Sequence, residues 1–172
     1  MHVIIDGYNL LGCSGRGQDR HSEIVRESLL RDLATYRQRK GHALTVVFDG
    51  WQQGLPLEQR EHRSGVQVVY SKRGERADQV IQRLAREYGA DCAIVSSDHE
   101  VMNHAKVHGA FVMSAQEFAG KLYSPGPFTG RAAFKELDIG EESDLRRGPN
   151  KKGNPRKLPK AQRHRGRQLN RF

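Results

Sequence analysis

Three aspartates stand at the ends of apolar, β-branched runs: Asp6 in "HVIID" (2–6), Asp49 in "ALTVVFDG" (43–50) and Asp98 in "CAIVSSD" (92–98). A fourth, Asp78, falls in the first turn of the helical pattern "ERADQVIQRLAREYG" (75–89), and Asn9 follows Asp6 by three residues. Singly, each has an ordinary explanation. Asp, Gly and Asn are common at turns for conformational reasons, and an acidic residue near a helix N-terminus is favoured by the helix dipole. Gathered at one edge, four carboxylates would repel, and such a cluster is tolerated mainly when a cation neutralises it. All-oxygen ligands favour a hard ion, Mg²⁺ or Mn²⁺, over zinc. The chemistry that follows is metal-assisted phosphodiester hydrolysis. Asn9 would then bind a metal water or the scissile phosphate.

The elements around these residues decide whether they can meet. A helical pattern runs from about Ser22 to Lys40, with Ile24, Val25, Leu29, Leu30 and Leu33 as its apolar stripe and Gly41 as its stop. Residues 12–21, rich in Gly, Ser and Arg, form the loop before it. Gly7 marks the end of the first strand. "VQVVY" (66–70) and "AFVM" (110–113) are further short strands. Ala77, Val80, Ile81, Leu84 and Ala85 share one face of the 75–89 helix, capped by Gly89. Ser97 with Glu100, and Ser114 with Glu117, are capping-box patterns opening two more helices. Strands alternating with helices predict an α/β fold, a mainly parallel sheet with helices on both faces. Ligands of such folds bind beyond the carboxyl ends of the strands, the edge where these aspartates fall.

The net charge of +9 is unevenly spread. Residues 146–172 hold eleven Lys or Arg and no Asp or Glu, whereas the preceding body is close to neutral. This tail, with Pro149, Pro155 and Pro159, has little to bury and is expected to be disordered when free. A solubility device is one reading. A phosphate-binding arm using Lys151, Lys152, Arg156 and Lys157 is the other, favoured by the absence of interspersed acid. The expected domain is residues 1–122, followed by a weakly patterned extension over 123–145 in which "RAAFKEL" can form one helix. No apolar run is long enough to span a bilayer and no signal peptide is visible, so no membrane partner is expected. Cys13 and Cys92, outside any C-x-x-C pair, suit a reducing cytoplasm, with Cys92 acting as a small hydrophobe.

Other residues near the strand ends have two readings each. Lys72, Arg73 and Arg76 crowd the loop before Asp78, either solvated or touching phosphates beside the cut. Tyr8 and Trp51 lie just beyond two strands, where an unpaired base can stack on them or where Trp51 can pack under its loop. Ser97 reads as a helix cap rather than a nucleophile. His99, His104 and His108 include an i, i+4 pair, but helical histidines of this kind usually face solvent.

Taken together, strand-"IDGYN", strand-"VVFDG", "ERAD" opening a helix and strand-"SSD" resemble the NYN domains of the PIN-like nucleases, closest to the YacP-like group, which includes ribosome-associated endoribonucleases. The resemblance covers about residues 2 to 122. It implies a three-layer α/β/α PIN-like fold and divalent-metal cleavage of RNA, single-stranded or on the ribosome. It also implies a site of Asp6, Asn9, Asp78 and Asp98, with Asp49 as a further member. The basic tail is not part of the family pattern. An RNA- or ribosome-binding protein without catalysis is the alternative, although a mere binder gains nothing from four carboxylates facing phosphate. A nucleotide-handling doubly wound enzyme lacks its G-x-G-x-x-G or G-x-x-x-x-G-K-[ST] loop. Oligomeric state is not legible in the sequence.

Overall fold

The computed structural model describes residues 1–13, 22–50, 56–124 and 169. Trp51, the extension beyond Ser124 and the basic tail with Lys151, Lys152, Arg156 and Lys157 lie outside the described residues. In chain order the elements are β1 (His2–Asp6), α1 (Gly7–Cys13), α2 (Glu23–Lys40), β2 (Ala43–Phe48), β3 (Gln59–Arg63) and β4 (Val66–Tyr70). There follow α3 (Ala77–Tyr88), a 3₁₀ turn (Gly89–Asp91), β5 (Cys92–Val95), α4 (His99–Val107), β6 (Phe111–Met113) and α5 (Ala115–Leu122).

The strands form one sheet in the order β3-β4-β2-β1-β5-β6, parallel except for β3. The central strands are apolar on both faces because helices cover both. On one face Ile4, Val47, Val69, Ile94 and Val112 meet Val80, Ile81 and Leu84 of α3 and Val101 and Ala105 of α4. Their alternating neighbours Val3, Ile5, Val46 and Phe48 point to the other face, where α1, α2 and α5 pack. There Tyr36 of α2 meets Phe118 of α5 edge-on, with centroids 5.1 Å apart. Each fully buried Leu or Ile stabilises the fold by about 1.5–3 kcal/mol, so this two-sided burial outweighs any single cap or ion pair.

The structure departs from the sequence reading in several places. The first strand does end where Gly7 marks it, but the residues after it form a helix, α1, that the sequence reading did not contain; Gly7 lies against Phe48, and a Cβ there would meet the Phe48 ring at 2.4 Å. Ile24, assigned to the apolar stripe of α2, is 78% exposed, and the stripe is carried by Leu29, Leu30, Leu33 and Tyr36. Strand β5 ends at Val95, and Asp98 rather than Ser97 caps α4, its Oδ1 accepting from Glu100 N at 2.7 Å and Val101 N at 3.3 Å. A capping aspartate leaves no role for the Ser97 hydroxyl there. The Ser114–Glu117 capping box of α5 forms as the spacing predicts.

Candidate active site

Parallel register brings the strand ends to one edge. Asp6 is level with Val47, so the path of β2 continues through Phe48 to Asp49 beside it. Strand β4 ends alongside Phe48, and the following loop delivers Asp78 in the first turn of α3. Asp6, Tyr8, Asn9, Asp49, Asp78 and Ser97 line one open cavity of about 340 Å³. Asp98 lines an adjoining cavity of about 300 Å³, and Asp78 forms a wall of both.

Asp6 is the most buried of the four, 5% exposed. Asn9 holds both of its carboxylate oxygens: the Asn9 backbone N donates to Oδ1 at 3.0 Å and Nδ2 donates to Oδ2 at 2.7 Å. Burial still prevails over these bonds and raises the Asp6 carboxyl above the usual aspartate range, with the charge of Asp98 adding to the shift. Asp78 is also raised, first by burial and then by the charges of Asp6, Asp98 and Asp49, against the opposing pull of Arg76. The charges of the other three aspartates thus oppose ionisation of Asp78, and that of Asp98 opposes ionisation of Asp6.

Two serines missed in the sequence reading organise this edge. Ser96, fully buried after β5, accepts from Asn9 Nδ2 at 3.4 Å and from Asp98 N at 3.1 Å. Ser71, buried after β4, donates to Asp49 Oδ1 at 3.4 Å and accepts from Gly50 N at 2.9 Å. Each hydroxyl thus links the end of its own strand to an aspartate-bearing segment, and a Ser directly after an apolar run is the sequence signal for it. Arg26, also missed, places Nη1 3.5 Å from the Tyr8 hydroxyl at the cavity rim, while the Tyr8 ring packs edge-on to Phe48 with centroids 5.3 Å apart. Lys72 and Arg73 are exposed on the β4–α3 loop, and exposed Arg76 lines the second cavity.

Among the described residues no group of three or more His, Cys, Asp or Glu stands in an arrangement that closes around a metal ion. The donor set fits an ion that keeps several waters and uses one or two carboxylates with substrate oxygens, which is the habit of Mg²⁺. His104 and His108 do not simply face solvent: both are half-buried with ring centroids 4.7 Å apart, and His104 Nδ1 is buried without a hydrogen-bond partner among the described residues. Burial pushes the Cys92 thiol up to about 11, which agrees with an inert core residue. No described helix is long and apolar enough to cross a membrane.

Comparison with known proteins gives the family. The YacP-like NYN domain pattern matches residues 3–126. The curated YacP protein of Bacillus subtilis (strain 168) is 30% identical over 122 residues, spanning 67% of this chain and 71% of that protein. The crystal structure of Rae1 (YacP) from Bacillus subtilis is similar at a TM-score of 0.58 and 27% identity, covering 71% of this chain and 73% of that one. A mutant of the same protein gives the same TM-score and identity, with 70% and 74% covered. With an α/β sheet of mostly parallel strands and a nuclease-like, RNA-related function, the chain belongs to the YacP-like NYN family.

Proposed function

We propose that this protein is a divalent-metal-dependent endoribonuclease acting on single-stranded or ribosome-associated RNA in the cytoplasm. The observation that carries the reading is the meeting of Asp6, Asp49 and Asp78, from three separate segments, in one open cavity beside Asp98. Of Asp6, Asp49, Asp78 and Asp98, one or two would hold Mg²⁺ or Mn²⁺ directly and the others through its waters; when bound, the ion supplies charge neutralisation at the phosphate and activation of water. Asn9 positions the Asp6 carboxylate through its two hydrogen bonds, and Ser96 and Ser71 fix Asn9 and Asp49 in turn. Burial raises the Asp6 carboxyl above the usual aspartate range, so a cation beside it would favour its charged form. Tyr8 offers an aromatic face at the rim for an unpaired base, and Lys72, Arg73 and Arg76 offer charge to the phosphates flanking the cut. We assign to Trp51 a second stacking surface. To the basic tail, through Lys151, Lys152, Arg156 and Lys157, we assign contact with the RNA or ribosomal backbone.

The test is incubation of the purified chain with labelled single-stranded RNA in the presence of Mg²⁺, Mn²⁺ or EDTA. Internal cleavage that requires either ion and stops with EDTA supports the reading. Cleavage that persists undiminished in EDTA rejects the metal, and no cleavage of free or ribosome-bound RNA under any of these conditions rejects the activity.

A further inference from the structure

We infer that the second cavity is a base-recognition subsite that selects guanine next to the scissile phosphate, an inference resting on the nuclease reading for its orientation. The cavity, about 300 Å³, opens between the first turns of α3 and α4 and is lined by Arg76, Gln79, Gln82, Glu100 and Val101, with Asp98 at the cap of α4 and Asp78 shared with the acidic centre. A strand of RNA with its phosphate at that centre must place a neighbouring nucleotide on one side or the other, and this cavity is built into one side.

Its chemistry suits a base and not a second phosphate. Asp78 also lines the acidic cavity and Asp98 is engaged in capping α4; with them the second cavity carries three carboxylates against one guanidinium, a balance that repels an anion. Setting those two aside, what remains is a guanidinium, two amides and one carboxylate, mixed donors and acceptors with an apolar patch at Val101. Gln79 is already oriented: its Oε1 accepts from Arg76 N at 3.1 Å, which leaves its amide N–H groups as the outward function. Unpaired bases are read on their Watson–Crick and Hoogsteen edges by groups of this kind.

Guanine follows from the single Glu100 carboxylate. A carboxylate is matched best by two parallel N–H donors. Guanine alone among the RNA bases has two neighbouring donors on its Watson–Crick edge, N1–H and the N2 amine. Adenine and cytosine set one amine beside an acceptor, and uracil flanks its one N–H with carbonyls. The guanine O6 and N7 acceptors then fall to amide donors, the role of Gln79 and Gln82 on the same cavity wall. Glu100 occupies the first turn of α4, held by the Asp98 cap, so its backbone is fixed relative to the acidic centre.

The experiment is calorimetric titration of the full chain, in metal-free buffer, with two oligouridylates that differ only in one central guanine or adenine. We expect the guanine oligomer to bind about tenfold more tightly, the scale of one bidentate base contact. Glu100→Gln and Gln82→Ala should each bring the two affinities together. Equal affinities for the parent overturn the inference, as does undiminished preference in both variants. Because no cleavage is read, failure of the nuclease reading appears separately, as guanine-selective binding by a protein that cuts nothing when Mn²⁺ is supplied.

Discussion

Asn9 grips Asp6 from two directions, with its backbone N 3.0 Å from Oδ1 and its side-chain Nδ2 2.7 Å from Oδ2. Both groups come from the first turn of a helix that starts where the strand stops. The most buried carboxylate of the site is therefore aimed by a neighbour three residues away, and its orientation does not wait on substrate. If the site works as proposed, Asn9 and Asp6 fail differently when replaced.

Asn9→Ala keeps the backbone donor and removes the side-chain one. Outer partners of a metal-binding carboxylate are typically worth about 10–100-fold in activity or metal affinity. We expect a loss of that size for Asn9→Ala and a larger one for Asp6→Asn, with circular dichroism unchanged in both. RNA cleavage rates across a Mn²⁺ titration decide it: added metal should partly restore Asn9→Ala. Parent-level cleavage by Asp6→Asn would remove Asp6 from the site.

Metal binding should be visible without RNA. An ion that binds only the folded state stabilises it by about 2.7 kcal/mol at a hundred times its Kd. Mn²⁺ or Mg²⁺ should raise the melting temperature of the parent and raise that of Asp6→Asn less. An unmoved parent melting curve at millimolar Mn²⁺ would count against a metal site at this edge.

The pH dependence of stability has a definite sign. Burial and the charges of Asp6, Asp98 and Asp49 raise the Asp78 carboxyl above its ordinary 3.8. A raised carboxyl contributes its stability fully below the unfolded-state value, and that contribution is lost as pH rises through the folded-state value. Asp78→Asn should therefore stabilise the metal-free protein at neutral pH. The gain should shrink on acidification through the raised value and vanish below 3.8, where the parent carboxyl is protonated in both states. Urea midpoints at neutral and acidic pH measure this, and a gain that grows on acidification would contradict the repulsion.

Asp98 offers a way to separate fold from chemistry. As the cap of α4 it should cost about 1 kcal/mol when replaced by Ala and only a few tenths when replaced by Asn, which caps as well. Both substitutions remove the charge, so both should lose cleavage. If Asp98→Asn cleaves as the parent does while Asp98→Ala does not, the residue acts through the helix and not through its charge.

The tail prediction rests on charge. If six of its eleven positive charges contact phosphates of a single strand, log K should fall against log salt with a slope of about −4. Deleting residues 146–172 should flatten that slope while leaving single-turnover cleavage at saturating RNA and low salt close to the parent. A salt titration of binding for both chains checks the first part, and a collapsed rate at saturation would place the tail in the active site.

The strands that carry the core were legible because both faces are buried, so their runs are apolar throughout, as in "HVIID" and "ALTVVF". Strand β3 was not, because "QREHR" buries almost nothing. It is held by antiparallel pairing with β4 and by the ion pair of Arg63 with Glu27 of α2, while Arg63 also pairs within the strand with Glu61 at 2.8 Å. A signal was present: Ser64 and Gly65, both at positive φ, make a two-residue hairpin turn of the type I′ pattern. The gathering of Asp6, Asp49 and Asp78 was legible from parallel topology, since parallel strands end together. The roles of Ser71 and Ser96 depend on which strand lies beside which, and a single sequence does not carry that order. Asp98 was read as a strand terminus, although Asp is among the best N-caps, because the run through "SSD" hid where extended backbone stops.

Gly7 follows Asp6, and the ring it touches belongs to Phe48, the residue before Asp49. The interval between two of the site's carboxylate-bearing segments is therefore gauged by a contact that has no room for a methyl group. Even alanine at position 7 would act as a shim, prising β1 and α1 from the end of β2 and widening the gap between Asp6 and Asp49. The tolerance of the site is finer than one carbon atom, and it is held by a residue that has no side chain with which to take part in the chemistry.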